Sequence, residues 1–269
     1  MNPKTTATVK NLLKTKNIIR FDCNQTLGQV LPKLTSSHDA AFVFDGDKFI
    51  GVVSPSHFIN ARSVKMETKL KRIAKMPPKL KLDTPIQEVA HLMLTSNIHY
   101  LPVLDEKNNF LGITTIRRLF QFCLKYKFFG NNGTILFSND KLHTASKDMP
   151  LSQVLALMKE KKISKIPVVD ENQKLAGIVA QYDLKEVIKE IDNTGKANRK
   201  GERTAKLTQP IKDFMKKMVF TVNYIPSFTQ ACQIMLEKNI GSLVIVDEQN
   251  YPIDIVSKGD LLKTVAEKR

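Results

Sequence analysis

The chain starts the same pattern four times, near Leu27, Ile86, Leu151 and Phe228, and this internal repetition restricts its fold more than any single residue does. Each time an amphipathic run leads into an apolar strand that ends in aspartate: AAFVFD to Asp45, YLPVLD to Asp105, KIPVVD to Asp170 and SLVIVD to Asp247. A polar turn follows (DGDK, DEKNN, DENQK, DEQNY), then a second apolar strand (FIGVV, FLGIT, LAGIV, PIDIV) and a short helical run (PSHFINA, IRRLFQFCL, QYDLKEVI, KGDLLKTV). The period of about 60 to 77 residues describes one supersecondary unit repeated in tandem, each too small to bury its own apolar faces.

Local signals agree with that unit. In the third repeat, Asp148-Met149-Pro150 precedes Leu151, and Leu151, Val154, Leu155, Leu157 and Met158 recur at helical spacing. Thr84-Pro85, Pro226-Ser227 and Gln25-Thr26 supply the cap or proline start of the other first helices. Strand tetrads such as Ile166-Pro167-Val168-Val169 are apolar on both faces, so each sheet needs cover from its own helices and from another repeat. Pairing of repeats is therefore expected. The aspartates at strand ends are residues that turns ask for, not an acid-base pair.

With 269 residues, 42% of them hydrophobic, the chain has material for two domains of two repeats each. No apolar run approaches the roughly 20 residues that span a bilayer, and MNPKTTATVKNLLK lacks a signal-peptide core, which predicts a cytoplasmic protein without membrane attachment. Cys23, Cys123 and Cys232 are scattered without metal-ligand spacing and read as reduced, mostly buried thiols. The formal charge of +16 is concentrated: residues 61–81 hold eight basic side chains against Glu67 alone. A second basic stretch, residues 192–208, carries Gly195 and Gly201 without apolar periodicity and reads as a flexible connector. Either a solvated lysine-rich surface or attraction of an anionic ligand accounts for this charge.

The repeats resemble cystathionine-β-synthase (CBS) domains, most clearly over the stretch from Ile211 to Val265, and the resemblance covers nearly the whole chain. It implies an α+β fold of four tandem β-α-β-β-α repeats that pair into two Bateman modules forming a disk. The modules are placed at residues 8–128 (repeats 8–62 and 68–128) and 133–265 (repeats 133–191 and 209–265), with Phe129 to Asn132 as the hinge. Four repeats in one chain are also similar to the gamma subunit of AMP-activated protein kinase, and SNIHYLPVLD and GITTIRRLFQF of repeat 2 sharpen that similarity.

The family's nucleotide signature is Gly, two apolar residues, Ser or Thr, two variable residues and Asp, where the last strand meets the last helix. A helix N-terminus there suits phosphate, and a carboxylate one turn on accepts both ribose hydroxyls. Repeat 4 has Ser257 and Asp260, with Asp254 for the glycine; repeat 3 has Gly177 and Asp183, with Ala180 for the hydroxyl. Repeat 1 has Gly51 and Ser54 but His57, and repeat 2 has Gly112 and Thr115 but Arg118, which cannot accept from ribose. The sites therefore rank 4, 3, 1, 2. Serine with an acid three residues later is equally a helix capping box, worth ~1 kcal/mol, so the Ser257–Asp260 pair has that alternative reading.

By the family's geometry each site is completed by the paired repeat. For Asp260 the resemblance implicates Ser138, Leu142-His143-Thr144, Ser164 and Lys165, the last a cation for phosphate. For Asp183 it implicates Val219 and Phe220 as walls for an adenine, with Gly241 and Ser242 where the gamma subunit has His and Arg. His99 lies where that subunit uses a histidine for the repeat 1 phosphate, with Lys75 nearby and Asp39 and His57 as departures.

The function implied is a regulatory sensor: AMP, ADP, ATP or a related adenosyl ligand binds between paired repeats and biases the chain's affinity for an effector protein, no other cofactor being required. The alternative is a basic nucleic-acid-binding module, which lacks aromatic interleaving and any RNA-binding signature. Nothing points to an enzyme, for the chain has no P-loop, nucleophile elbow or metal-spaced cluster. A monomer or weak homodimer is expected.

Overall fold

The computed structural model describes residues 7–34, 40–54, 64–131, 133–137, 141–181, 183–184 and 205–268. Asp39, His57, Ser138, the closing helical run of repeat 1, most of that of repeat 3 and most of the basic connector lie outside the described residues. In repeat 1, β1 (Arg20–Asp22) runs parallel to β2 (Ala41–Asp45), β2 pairs antiparallel with β3 (Lys48–Val53), and α1 (Leu27–Val30) starts the connection. Repeat 2 contains α2 (Ile86–Ser96), the hairpin β4 (Tyr100–Leu104) and β5 (Phe110–Thr115), and α3 (Ile116–Lys125). A single parallel bridge, Leu80 to Val103, stands for its first strand. Repeat 3 has β6 (Ala145–Ser146), α4 (Leu151–Glu160), β7 (Lys165–Val169) and β8 (Leu175–Ala180); repeat 4 has β9 (Thr221–Val222), α5 (Phe228–Glu237), β10 (Ser242–Val246), β11 (Pro252–Ser257) and α6 (Lys258–Ala266). In both, the first strand lies parallel to the second and the last two form a hairpin.

The local causes repeat with the elements. Thr26 with Gln29 and Ser227 with Gln230 form capping boxes, while Pro85 and Pro150, fixed near φ −60°, set the other starts. In α4 the residues at helical spacing divide as their spacing requires: Leu151, Val154 and Met158 are buried, and Leu155 and Leu157 pack partly against the same core. The first helices of repeats 2, 3 and 4 are followed by a left-handed residue, Asn97, Lys162 or Asn239, at φ 51–54°. The strand-end aspartates hold the hairpin turns. Asp105 Oδ1 accepts from the Asn109 amide, Asp170 Oδ1 from those of Asn172 and Lys174, and Asp247 Oδ1 from those of Gln249 and Tyr251. The two bonds from Asn109 also hold the Asp105 carboxyl below its ordinary range.

The described contacts divide the chain into two compact units. Unit 1 comprises Met1–Ser138, Ser227–Asn239 and Lys258–Arg269; unit 2 comprises Asn139–Pro226 and Ile240–Ser257. Repeat 4 is thus shared: its strands belong to unit 2 and its helices to unit 1. Within unit 1, α6 lies along α2 and α5 along α3. Phe120 on α3 meets Phe228 on α5 edge to face at 6.3 Å, and Phe228 packs tilted against Phe129 at 4.3 Å. Cys123 and Cys232 are buried on the same two helices, and burial pushes the Cys123 thiol up to about 12, so neither is a nucleophile at neutral pH.

Repeats 1 and 2 pair in unit 1 through their sheets, where Phe110 of β5 packs on Phe42 and Phe44 of β2 and Phe49 of β3 with centroids 5.1–6.1 Å apart. In unit 2, the Leu175 amide of repeat 3 donates to the Asn250 carbonyl of repeat 4 at 2.9 Å. The leading segment of one repeat also crosses the last strand of its mate: Lys14 bridges Ile113, Lys75 bridges Val52 and Lys216 bridges Ile178. These crossings explain the signature glycines. A Cβ on Gly51 would lie 2.8 Å from the Lys75 carbonyl oxygen, one on Gly177 2.9 Å from that of Lys216, and one on Gly112 would overlap that of Lys14. The glycine is there for backbone approach. Gly112→Ala is accordingly expected to lower stability by ~1–3 kcal/mol, measured by denaturant titration, because backbone rather than a movable side chain opposes the methyl.

Candidate functional site

Asp183 follows β8 at a turn in which its amide donates to the Ala180 carbonyl at 2.9 Å. Its Oδ1 accepts from Lys216 Nζ at 2.7 Å, with the aspartate side chain 22% and the lysine side chain 65% exposed. Lys216 is carried there by its crossing over Ile178. From Lys216 the chain passes Val219 and Phe220, both half-buried, and the Phe220 carbonyl accepts from the Val244 amide of β10 at 3.2 Å. β10 opens with Ser242, next to Gly241, and the space of a Gly241 side chain is taken by the Lys165 ammonium, whose Nζ lies 2.6 Å from where that Cβ would be. Lys165 begins β7 and pairs in register with Ala180, three residues before Asp183. All six residues, Asp183, Lys216, Phe220, Ser242, Gly241 and Lys165, belong to unit 2, and strand register and hydrogen bonds connect the segments that carry them. These residues supply one carboxylate, two ammonium groups, a serine hydroxyl and one aromatic ring, a set with net positive charge in which Lys216 is paired with Asp183.

Lys216 was not among the residues singled out from the sequence. Its signal was the Lys216-Lys217 pair just before Val219, but its role depends on a crossing by the mate repeat. The resemblance implicates Lys165 at the Asp260 site; its ammonium lies beside Gly241.

Ser257 is half-buried, ends β11 opposite Ser242 and belongs to unit 2, whereas Asp260 is 5% exposed in the first turn of α6 and belongs to unit 1. The Asp260 carbonyl accepts from Thr264 Oγ1 at 2.7 Å, and that oxygen accepts from the Leu136 amide at 2.9 Å. His143 and Thr144 are half-buried just before β6; Ser164 is exposed, and its carbonyl accepts from the Gln181 amide at 2.8 Å.

In repeat 2, Thr115 caps α3, accepting from the Arg118 amide at 3.2 Å. The Arg118 side chain turns to the leading segment of repeat 1, its Nε donating to the Leu12 carbonyl at 2.6 Å. That bond ties the guanidinium to backbone at the position where repeat 3 carries its acid. His99 is 8% exposed, and its carbonyl accepts from the Ile116 amide at 2.9 Å.

A family model for the CBS domain matches residues 9–64, 70–125, 135–190 and 211–267, and the chain belongs to the CBS domain family. Protein MJ1225 from Methanocaldococcus jannaschii shares the fold, with a TM-score of 0.70 at 17% identity over 96% of this chain and 99% of that one. Protein MJ1232 of the same organism is 32% identical over 125 residues, 46% of this chain and 36% of the relative. The gamma subunit of 5'-AMP-activated protein kinase from Dictyostelium discoideum is 26% identical over 200 residues, 67% of this chain and 33% of the relative. The chain spans less than half the length of the first curated relatives it matches. Among the described residues no helix is long and apolar enough to cross a membrane.

Proposed function

We propose that this chain is a regulatory sensor that binds an adenine nucleotide between repeats 3 and 4 and passes the bound state to an effector protein. The observation that carries the reading is the convergence in unit 2 of the segments that carry Asp183, Lys216, Lys165, Ser242 and Phe220, with Asp183 paired to Lys216 and the Lys165 ammonium beside Gly241. A carboxylate has lone pairs for about four hydrogen bonds, so Asp183 can keep Lys216 on Oδ1 and accept ribose hydroxyls on its remaining positions. Val219 and Phe220 then flank the base, and Lys216 and Lys165 meet the phosphate. The likeness to a kinase gamma subunit supports the same reading.

The charges around Asp183 select among adenosyl ligands. Two ammonium groups against one carboxylate favour a phosphate dianion and oppose a sulfonium cation. Calorimetric titration of the protein is expected to give AMP at least about tenfold tighter binding than S-adenosylmethionine, a difference of ~1.4 kcal/mol. The same titration with a single-stranded oligonucleotide separates the alternative. Oligonucleotide binding with a steep salt dependence, and no response to AMP, would replace the sensor with a charge-driven nucleic-acid binder.

A further inference from the structure

We infer that repeat 2 carries an anion site separate from the adenylate clefts, on the outer face of α3, which takes a small phosphate monoester bearing a planar ring. A cleft of about 220 Å³ opens there, lined by Asn11, Arg118, Gln121, Phe122, Lys125 and Tyr126. Positions 118, 121, 122 and 125 recur at three-, four- and seven-residue spacing, so they form one stripe along the helix. The 3₁₀ turn Val9–Asn11 of repeat 1 supplies the opposite wall.

The chemistry of the lining is one-sided. It offers a guanidinium, an ammonium, two amides and a phenol, and no carboxylate. Arg118 is held in place by its Nε bond to Leu12, which leaves its two terminal nitrogens as a preoriented fork. Asn11 Oδ1 accepts from the Thr8 amide at 3.1 Å, which leaves its amide nitrogen as the donor. Phe122 and Tyr126 lie with centroids 4.5 Å apart, and the Lys125 ammonium stands 5.4 Å from the Tyr126 ring. Cations beside the half-buried Tyr126 ring, itself packed on the buried Phe122, match a ligand that joins an anionic head to a flat apolar body. The volume suits a compact ligand rather than a whole nucleotide.

This site differs from the clefts of the adenylate reading in both position and charge. Thr115, at the junction of β5 and α3, does not line it, because its hydroxyl caps the helix. The side chain that would be a ribose acceptor is here a cation. The inference does not depend on the adenylate reading.

Phenyl phosphate is the probe, titrated into the full-length protein by calorimetry in the presence and absence of saturating AMP. Saturable binding that survives AMP is expected. Gln121 and Lys125 are exposed, so their replacement leaves the packing of α3 intact, as thermal melting checks. Lys125→Ala should weaken binding about threefold, the scale of an exposed charge pair. Gln121→Glu places a like charge against the phosphate and should weaken it about tenfold or more. Asp183→Ala should leave it unchanged. Absence of saturable binding, affinity equal to wild type in Gln121→Glu, or loss of binding in Asp183→Ala each overturns the assignment. The AMP titration is read separately and decides the adenylate clefts alone.

Discussion

Asp183→Ala is expected to weaken AMP binding tenfold to a hundredfold while leaving the denaturation midpoint close to that of the wild type. The affinity loss follows from removing an ionised acceptor that faces ribose hydroxyls, since hydrogen bonds to a charged group contribute ~1.5–3 kcal/mol. The small stability change follows from the partner lost. Lys216 is 65% exposed, and pairs of that kind contribute at most ~1 kcal/mol. Calorimetry and denaturant titration on the one variant separate these terms. If affinity is unchanged and the midpoint falls, Asp183 serves only to anchor the Lys216 crossing.

The second large effect is structural. Phe120→Ala should destabilise unit 1 by ~3–5 kcal/mol, because Phe120 is fully buried where α3 lies along α5 and its loss leaves a cavity. Its edge-to-face contact with Phe228 adds to the burial, and Phe228 in turn packs on Phe129, with Lys268 over Phe128 and Phe129. Against a typical stability of ~5–15 kcal/mol, such a loss exposes the helices of repeats 2 and 4 at ordinary temperatures. Hydrogen exchange followed by mass spectrometry should therefore show faster exchange in α3 and α5 together. A change confined to α3 would show that the two helices do not stabilise one another.

These expectations rest on features of unequal visibility in the sequence. The repeat was legible because its signals are local: capping residues at Thr26 and Ser227, helical spacing from Leu151 to Met158, and aspartates where hairpins turn. Pairing of repeats was legible for a general reason, since strands apolar on both faces must be covered twice. The division of repeat 4 between two units was not. Nothing in Phe228–Glu237 or Lys258–Ala266 states which neighbour their apolar faces meet, and only the placement of α2 and α3 decides it.

The site divides in the same way. The family resemblance marks Asp183 by its motif and Val219, Phe220 and Ser242 by the paired repeat, and it places Lys165 at the Asp260 site instead. Lys216 is not marked, because its backbone reaches Ile178 of the other repeat across 38 residues of chain. The signature glycines were read as part of a ligand motif, whereas the structure accounts for Gly51, Gly112 and Gly177 by the carbonyls that cross above them. Arg118 announced itself by its charge, but its partner, the Leu12 carbonyl, has no sequence signal at all.

Adenine-nucleotide binding beside Asp183, Lys216, Lys165 and Phe220 in unit 2 underlies the sensor reading. A crystal structure of the protein grown with AMP tests it most directly. Expected are both ribose hydroxyls within about 3.2 Å of the Asp183 carboxylate, the base against Phe220, and the phosphate beside Lys216 and Lys165. A nucleotide bound elsewhere, with the Asp183–Lys216 pair intact and no ligand beside it, would contradict this reading.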